Sequence, residues 1–126
     1  FAAIGYACWV ENEARIDAVI AVSGIGPAYF FRIMEIMQQV GQELGLSQQV
    51  AQDLSLKTVL GAARMATESD ISPTQLREQV TSPGGTTQAA LQTFEEQGLE
   101  EIFRKAMNSA LTRAEVMSAD FGSASK

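Results

Sequence analysis

An all-α fold, a helical bundle with short connections, is what this sequence predicts, and three observations carry the prediction. From Ala14 to Ala119 apolar residues recur at spacings of three and four. The breaks between these runs fall at serine, threonine, glycine and proline clusters with helix-capping chemistry. Only residues 7–10, near the apolar start at Phe1, read as a short strand, and no second strand pattern follows for it to pair with. A lone strand is not stable, so residues 1–13 read as the remnant of a connection within a longer polypeptide.

Each element has its own justification. Residues 16–22 form a short apolar helix with Asp17 in its first turn, ending at Ser23-Gly24. Gly26-Pro27 opens a long helix, with proline where its missing amide hydrogen has no intrahelical partner to lose. Along it Phe30, Ile33, Met34, Met37, Val40, Gly41 and Leu44 make one stripe, and Tyr29, Phe31 and Ile36 a second apolar face. Such a helix must be covered on both sides, by a partner subunit or as the central helix of a monomeric bundle. Gly45 is placed as a C-terminal cap and Ser47 as the next N-cap, for a helix to about residue 68 with Val50, Leu54, Val59, Ala62, Ala63 and Ala66 inward. Gly61-Ala62-Ala63 admits close approach of another helix.

Ser72-Pro73-Thr74-Gln75 fits a capping box and starts a short helix to Val80. Residues 81–87 follow as a loop, with Thr86 or Thr87 capping a helix that runs to Gln97 and stops at Gly98. The last helix extends from Leu99 to about Ala119 with Ile102, Phe103, Ala106, Ala110, Leu111, Ala114 and Met117 in its stripe, leaving 121–126 as a flexible tail. The helical domain thus spans 14–120.

Composition narrows the function classes. With 126 residues and 46% hydrophobic content the chain fits one compact domain with a core of its own. The formal charge is −6 and Lys and Arg are scattered singly, which argues against nucleic acid and anionic membrane surfaces as partners. One cysteine, Cys8, and no histidine exclude an intrachain disulfide and a multi-cysteine zinc site, predict no metal, and suit a reducing cytoplasm. No apolar run approaches the ~20 residues of a membrane span.

The same inventory excludes Ser/His/Asp and Cys/His machinery and leaves acid–base work to carboxylates. The pairs Glu95-Glu96 and Glu100-Glu101 splay on their helices and read as solvated surface. Glu13 stands out because it precedes the apolar helix that leads into Ser23-Gly24-Ile25-Gly26-Pro27. That segment lacks the third glycine and the strand–turn–helix setting of a dinucleotide fingerprint, and reads equally as a flexible joint or as part of a site. Thr81-Ser82-Pro83-Gly84-Gly85-Thr86-Thr87 reads either as a plain connection or as an anion cradle at a helix N-terminus, its concentration of hydroxyls and glycines favouring the cradle.

Taken together, Ile16-Asp17-Ala18-Val19, Ala21-Val22-Ser23-Gly24-Ile25-Gly26-Pro27-Ala28-Tyr29, Thr58-Val59-Leu60-Gly61-Ala62-Ala63 and the loop from Val80 to Thr87 resemble pyrroline-5-carboxylate reductase in order and spacing over nearly the whole chain. Leu91, Glu95 and Gly98 fall where that family has a further motif. The resemblance implies the C-terminal dimerisation domain of a reductase, an interlocked helical homodimer that in the family assembles further into a decamer of five dimers. A preceding Rossmann domain would hold most of the NADPH or NADH, and this domain alone would be inactive. The reaction implied is hydride transfer to 1-pyrroline-5-carboxylate, giving L-proline.

By the same resemblance the substrate carboxylate is held by the backbone of Gly85, Thr86 and Thr87 with the Thr87 hydroxyl and Ser82. Glu13 accepts a hydrogen bond from the ring nitrogen, and Gln79 touches the cofactor. Three segments depart from the family pattern: Ile25 replaces a small hydroxyl residue, and Leu76-Arg77-Glu78 and Ser69-Asp70-Ile71-Ser72-Pro73 differ from the usual runs. They leave open a non-catalytic dimerisation or binding module, and a related reductase acting on another imino or keto acid.

Overall fold

The computed structural model describes residues 9–124, and all regular structure in that span is helical. The elements are α1 (Glu13–Val19), a π-helical turn (Ile20–Gly24), α2 (Gly26–Glu43), α3 (Gln48–Glu68), α4 (Pro73–Gln79), α5 (Thr86–Glu96) and α6 (Leu99–Ala124). The strand expected over 7–10 lies outside the described residues at 7 and 8, Cys8 included, while Trp9 and Val10 belong to no regular element.

α1 begins three residues before the helix expected over 16–22. Asn12, in extended conformation, accepts the Arg15 amide hydrogen on its side-chain oxygen at 3.0 Å, and a capped start takes precedence over where the stripe happens to begin. Glu13 is therefore the first residue of the helix rather than a residue ahead of it, where a carboxylate suits the helix dipole. The end expected at Ser23-Gly24 is corrected as well. The Ile25 amide donates to the Ile20 carbonyl at 3.0 Å, closing a π turn that carries the helical path through the serine and glycine. Pro27 has no amide hydrogen for the Ser23 carbonyl, so the α ladder must be interrupted here, and the wider turn absorbs the change of register. The Ser23 hydroxyl donates to the Val19 carbonyl at 2.9 Å and ties the turn to α1. Residues 23–27 form a π-to-α junction.

The run Glu13–Glu43 is consequently a 31-residue helical path, apolar enough to cross a membrane by length and composition. The sequence pattern had cut it in two at Ser23-Gly24, which is why no span-length stretch was expected.

Contacts gather the chain into two units. One comprises Phe1–Ala28 with Gly98–Lys126, and in it α1 and the π turn lie against α6. The other, Tyr29–Gln97, holds most of α2 with α3, α4 and α5. In the second unit α2 ends in a Schellman pattern, with the Leu46 amide donating to the Gly41 carbonyl and the Gly45 amide to that of Gln42, both at 3.0 Å, and Gly45 at φ 106°. Ser47 caps α3 by accepting the Val50 amide hydrogen at 3.2 Å. A Cβ on Gly41 would stand 3.3 Å from the Ala51 Cβ, so the glycine is what lets α3 fold back this closely. At α4 the capping box is complete: Ser72 Oγ accepts from the Gln75 amide at 3.2 Å, and Gln75 Oε1 accepts from the Ser72 amide at 3.1 Å.

α6 runs to Ala124, past the expected end near 119, because Gly122 is the only poor helix former there and one glycine costs only about 1 kcal/mol. The tail expectation is thereby corrected for 121–124, and residues 125 and 126 lie outside the described residues.

The largest departure concerns the core. Among the described residues the only buried apolar ones are Ala21 and Ala51, both 2% exposed. Val50 and Leu54, expected inward on α3, are about half exposed, as are Phe30, Phe31, Ile36 and Val40 on α2. The chain presents 10184 Å² to solvent, whereas a folded monomer of 13.6 kDa presents roughly 6,600 Å². The excess is on the order of 3,600 Å². The apolar material is present in the amounts a core requires, but one chain does not bury it against itself.

A candidate anion cradle at the start of α5

The loop of interest is framed by two helix ends. α4 closes with the Val80 amide donating to Arg77 O at 3.2 Å and the Thr81 amide to Glu78 O at 3.1 Å. The Thr81 hydroxyl donates back to Arg77 O at 2.5 Å, so it serves the end of α4 and is not aimed at a ligand. Beyond it, the Gly85 amide donates to the Ser82 carbonyl at 3.0 Å and closes a tight turn over Pro83 and Gly84. Proline at the second position and glycine at φ 73° at the third are the requirements of a type II turn. A Cβ at Gly85 would meet the Ser82 carbonyl oxygen at 3.1 Å, which restricts this position sterically.

Gly85, with φ −87° and ψ 179°, is the N-cap of α5 and brings no side chain to the cap. Thr86 and Thr87 are therefore the first two helical residues and not caps. A cap needs extended backbone, and the turn delivers that conformation at Gly85, before either threonine. The first ladder bond of α5 runs from the Ala89 amide to Gly85 O at 3.2 Å. The amides of Thr86, Thr87 and Gln88 precede it and donate to no group among the described residues. Three donors at the positive end of a helix dipole, with the half-buried Thr87 beside them, can hold a carboxylate or a phosphate.

The structure thus brings Ser82, Gly85, Thr86 and Thr87 into one turn and one helix start. It also refines their roles, because the Gly85 amide is already engaged with Ser82, leaving the donor set at Thr86, Thr87 and Gln88. Gln79 is the last residue of α4 and exposed. Glu13 is exposed on α1, in the other unit. One participant escaped the sequence reading. Gln88 Oε1 accepts the Gly84 amide hydrogen at 2.6 Å, reaching back four residues from the third helical position. A capping-box search extended one residue beyond the cap finds this pairing.

A second concavity runs along α6 between Glu101 and Val116, with Arg104, Lys105 and Arg113 in its lining. All of it comes from one helix face. The hydrogen bond and charge of Glu101, with the charge of Glu100, raise the Arg104 pKa above its ordinary value, so that charge is already matched within the helix.

Residues 13–117 match the family described as pyrroline-5-carboxylate reductase dimerisation. The pyrroline-5-carboxylate reductase of Pseudomonas aeruginosa is 48% identical over 120 residues, which cover 95% of this chain and 44% of that protein. Pyrroline-5-carboxylate reductase 2 of Bacillus subtilis is 38% identical over 121 residues, 96% of this chain and 43% of its own length. Among solved structures, a Coxiella burnetii pyrroline-5-carboxylate reductase superposes with a TM-score of 0.82 at 50% identity, over 85% of this chain and 40% of that one. A Plasmodium falciparum pyrroline carboxylate reductase with NADP bound gives 0.81 at 31% identity, over 85% and 41%. The chain therefore spans less than half the length of each of these relatives.

Proposed function

The chain belongs to the pyrroline-5-carboxylate reductase dimerisation family, and from that premise we propose that it forms the dimer core and the carboxylate-binding part of an enzyme reducing 1-pyrroline-5-carboxylate to L-proline with NAD(P)H. The observation that carries the reading is the donor set at the start of α5. Three amides without a partner among the described residues stand at the helix start where an anionic group is favoured, with Thr87 in the same turn, inside the segment that matches the family.

The described residues contain no strand and hence no strand–turn–helix cradle for a dinucleotide. In this reading most of the contacts to NAD(P)H come from residues other than these, Gln79 touches it from the end of α4, and this chain by itself is inactive. What its own residues supply is position. A protonated cyclic imine is already electrophilic, so anchoring its carboxylate on Thr86 and Thr87 sets the ring without a strong catalytic acid. Ser82 flanks the anchor.

The uncovered apolar faces of α2 and α3 support the second half of the proposal, a homodimer in which each chain covers the other. An excess on the order of 3,600 Å² per chain belongs to the range of permanent, core-like interfaces. Light scattering separates that dimer from a decamer of five dimers. The reading places the protein in the cytoplasm, with its soluble substrate.

The activity is tested in the chain joined to a dinucleotide-binding domain, by following NAD(P)H oxidation with 1-pyrroline-5-carboxylate. Turnover is expected, with Thr87→Ala raising KM by about tenfold or more, the effect of losing a hydrogen bond to a charged group. No turnover in the joined protein, or a KM indifferent to Thr87→Ala, would sink it.

A further inference from the structure

We propose that Gln88 is a positioning residue of the cradle: by accepting the Gly84 amide hydrogen it selects the turn geometry that leaves the Thr86, Thr87 and Gln88 amides, and no others, for the substrate carboxylate. The proposal rests on the reading of this loop as a carboxylate site and names a residue that the sequence motif does not contain.

The peptide between Pro83 and Gly84 is the central one of the turn. Type I and type II turns differ by a flip of this central peptide, and the group that swings most is the amide of the third residue, here Gly84. Glycine accepts either form, since its φ is as free at positive as at negative values. The Gly85-to-Ser82 bond at 3.0 Å closes both forms alike and selects neither. The Gln88 side chain does select. Its Oε1 stands 2.6 Å from the Gly84 nitrogen, which holds that amide toward α5 and Gly84 at φ 73°. In the flipped form the Gly84 amide would turn away and Gln88 would lose its partner.

Two consequences reach the ligand. The Gly84 amide is removed from the donors a carboxylate can use, so the anion meets one register of amides instead of two competing ones. The loop is also held in the binding geometry before ligand arrives, which lowers the ordering cost of association. Because the bond links residues four apart in one chain, it is independent of any partner subunit.

The test compares this protein with Gln88→Met, which keeps the length but removes the acceptor, and Gln88→Glu, which keeps an acceptor. Amide NMR reads the Gly84 signal, and calorimetry with L-proline reads the cradle. In the parent the Gly84 amide is shifted downfield and exchanges slowly. Gln88→Met moves it upfield, speeds its exchange and weakens L-proline roughly three- to tenfold, the range for one neutral hydrogen bond, while the later amides of α5 stay in place. Gln88→Glu returns the Gly84 signal toward its parent position.

A Gly84 signal indifferent to Gln88→Met overturns the proposal. So does undiminished L-proline affinity in Gln88→Met when Thr87→Ala does weaken binding. If the parent itself binds no L-proline, or binds it without regard to Thr87→Ala, the carboxylate-site reading fails and the role of Gln88 with it. That outcome is distinct because it arises with Gln88 intact.

Discussion

Ser72 and Gly84 show how much single residues decide here, and both effects are measurable in isolation. Ser72 holds two backbone amides in register through its capping box with Gln75. Ser72→Ala is expected to lower stability by about 1 kcal/mol in a urea titration, with L-proline affinity unchanged, since only the start of α4 is involved. Gly84 has open space where a Cβ would go, yet φ 73°. Gly84→Ala therefore acts through backbone strain alone, about 1–2 kcal/mol in the same titration, and unlike Ser72→Ala it weakens L-proline as the turn shifts. Caps of this kind were legible in the sequence because they are local: Gly45, Ser47 and the Ser72–Gln75 box all stand where the residue types placed them. Thr86 or Thr87 as the cap is one or two residues too late, because the turn geometry that hands the extended conformation to Gly85 depends on dihedral angles that residue types do not express. Gln88 was missed for a related reason, since its partner Gly84 lies on the far side of the cap.

At the scale of elements, the helices were legible wherever an end signal was strong, and were cut or shortened where the signal was ambiguous. Ser23-Gly24 has the composition of a helix end, but the π turn absorbs it and the missing amide of Pro27 together, so α1 and α2 continue one helical path. No periodicity of three and four registers a π turn, which adds one residue to the repeat. The packing of α2 on α3 was likewise visible only in part. Gly41 was read as one member of a stripe, while the structure makes it the point where Ala51 approaches. Gly41→Val is expected to destabilise by about 1–3 kcal/mol through overpacking against Ala51. A denaturation series on Gly41→Val beside the parent checks this, and stabilisation would show that α2 and α3 do not meet there.

For the whole molecule the decisive quantity is the apolar area that one chain leaves open. Phe30 is half exposed in the chain taken singly, and a charge at an exposed position ordinarily changes stability by no more than about 0.5 kcal/mol. If a second copy covers α2, Phe30→Asp instead buries an unpaired carboxylate and abolishes the folded dimer, which sedimentation and circular dichroism would report as loss of both mass and helix. The parent should also melt at a higher temperature as protein concentration rises, the signature of folding linked to association. A melting temperature independent of concentration, together with a tolerant Phe30→Asp, would mean that the open faces need no partner.

By itself the sequence determined the all-α class, the caps at Gly45, Ser47 and Ser72 and the turn that ends at α5, since these follow from side-chain period and from hydrogen bonds between residues a few positions apart. The motif of residues 81–87 was also readable there, as a loop with the right groups for an anion. Only the structure decided which of those groups are free: the Gly84 and Gly85 amides are engaged by Gln88 and Ser82, and the Thr86, Thr87 and Gln88 amides have no partner among the described residues. It alone also decided where the apolar stripes end up, open rather than folded into a core. The physical reason is the same in both cases. Composition and period state which groups are apolar and which can donate, but whether each one finds a partner within the chain depends on where the backbone carries it.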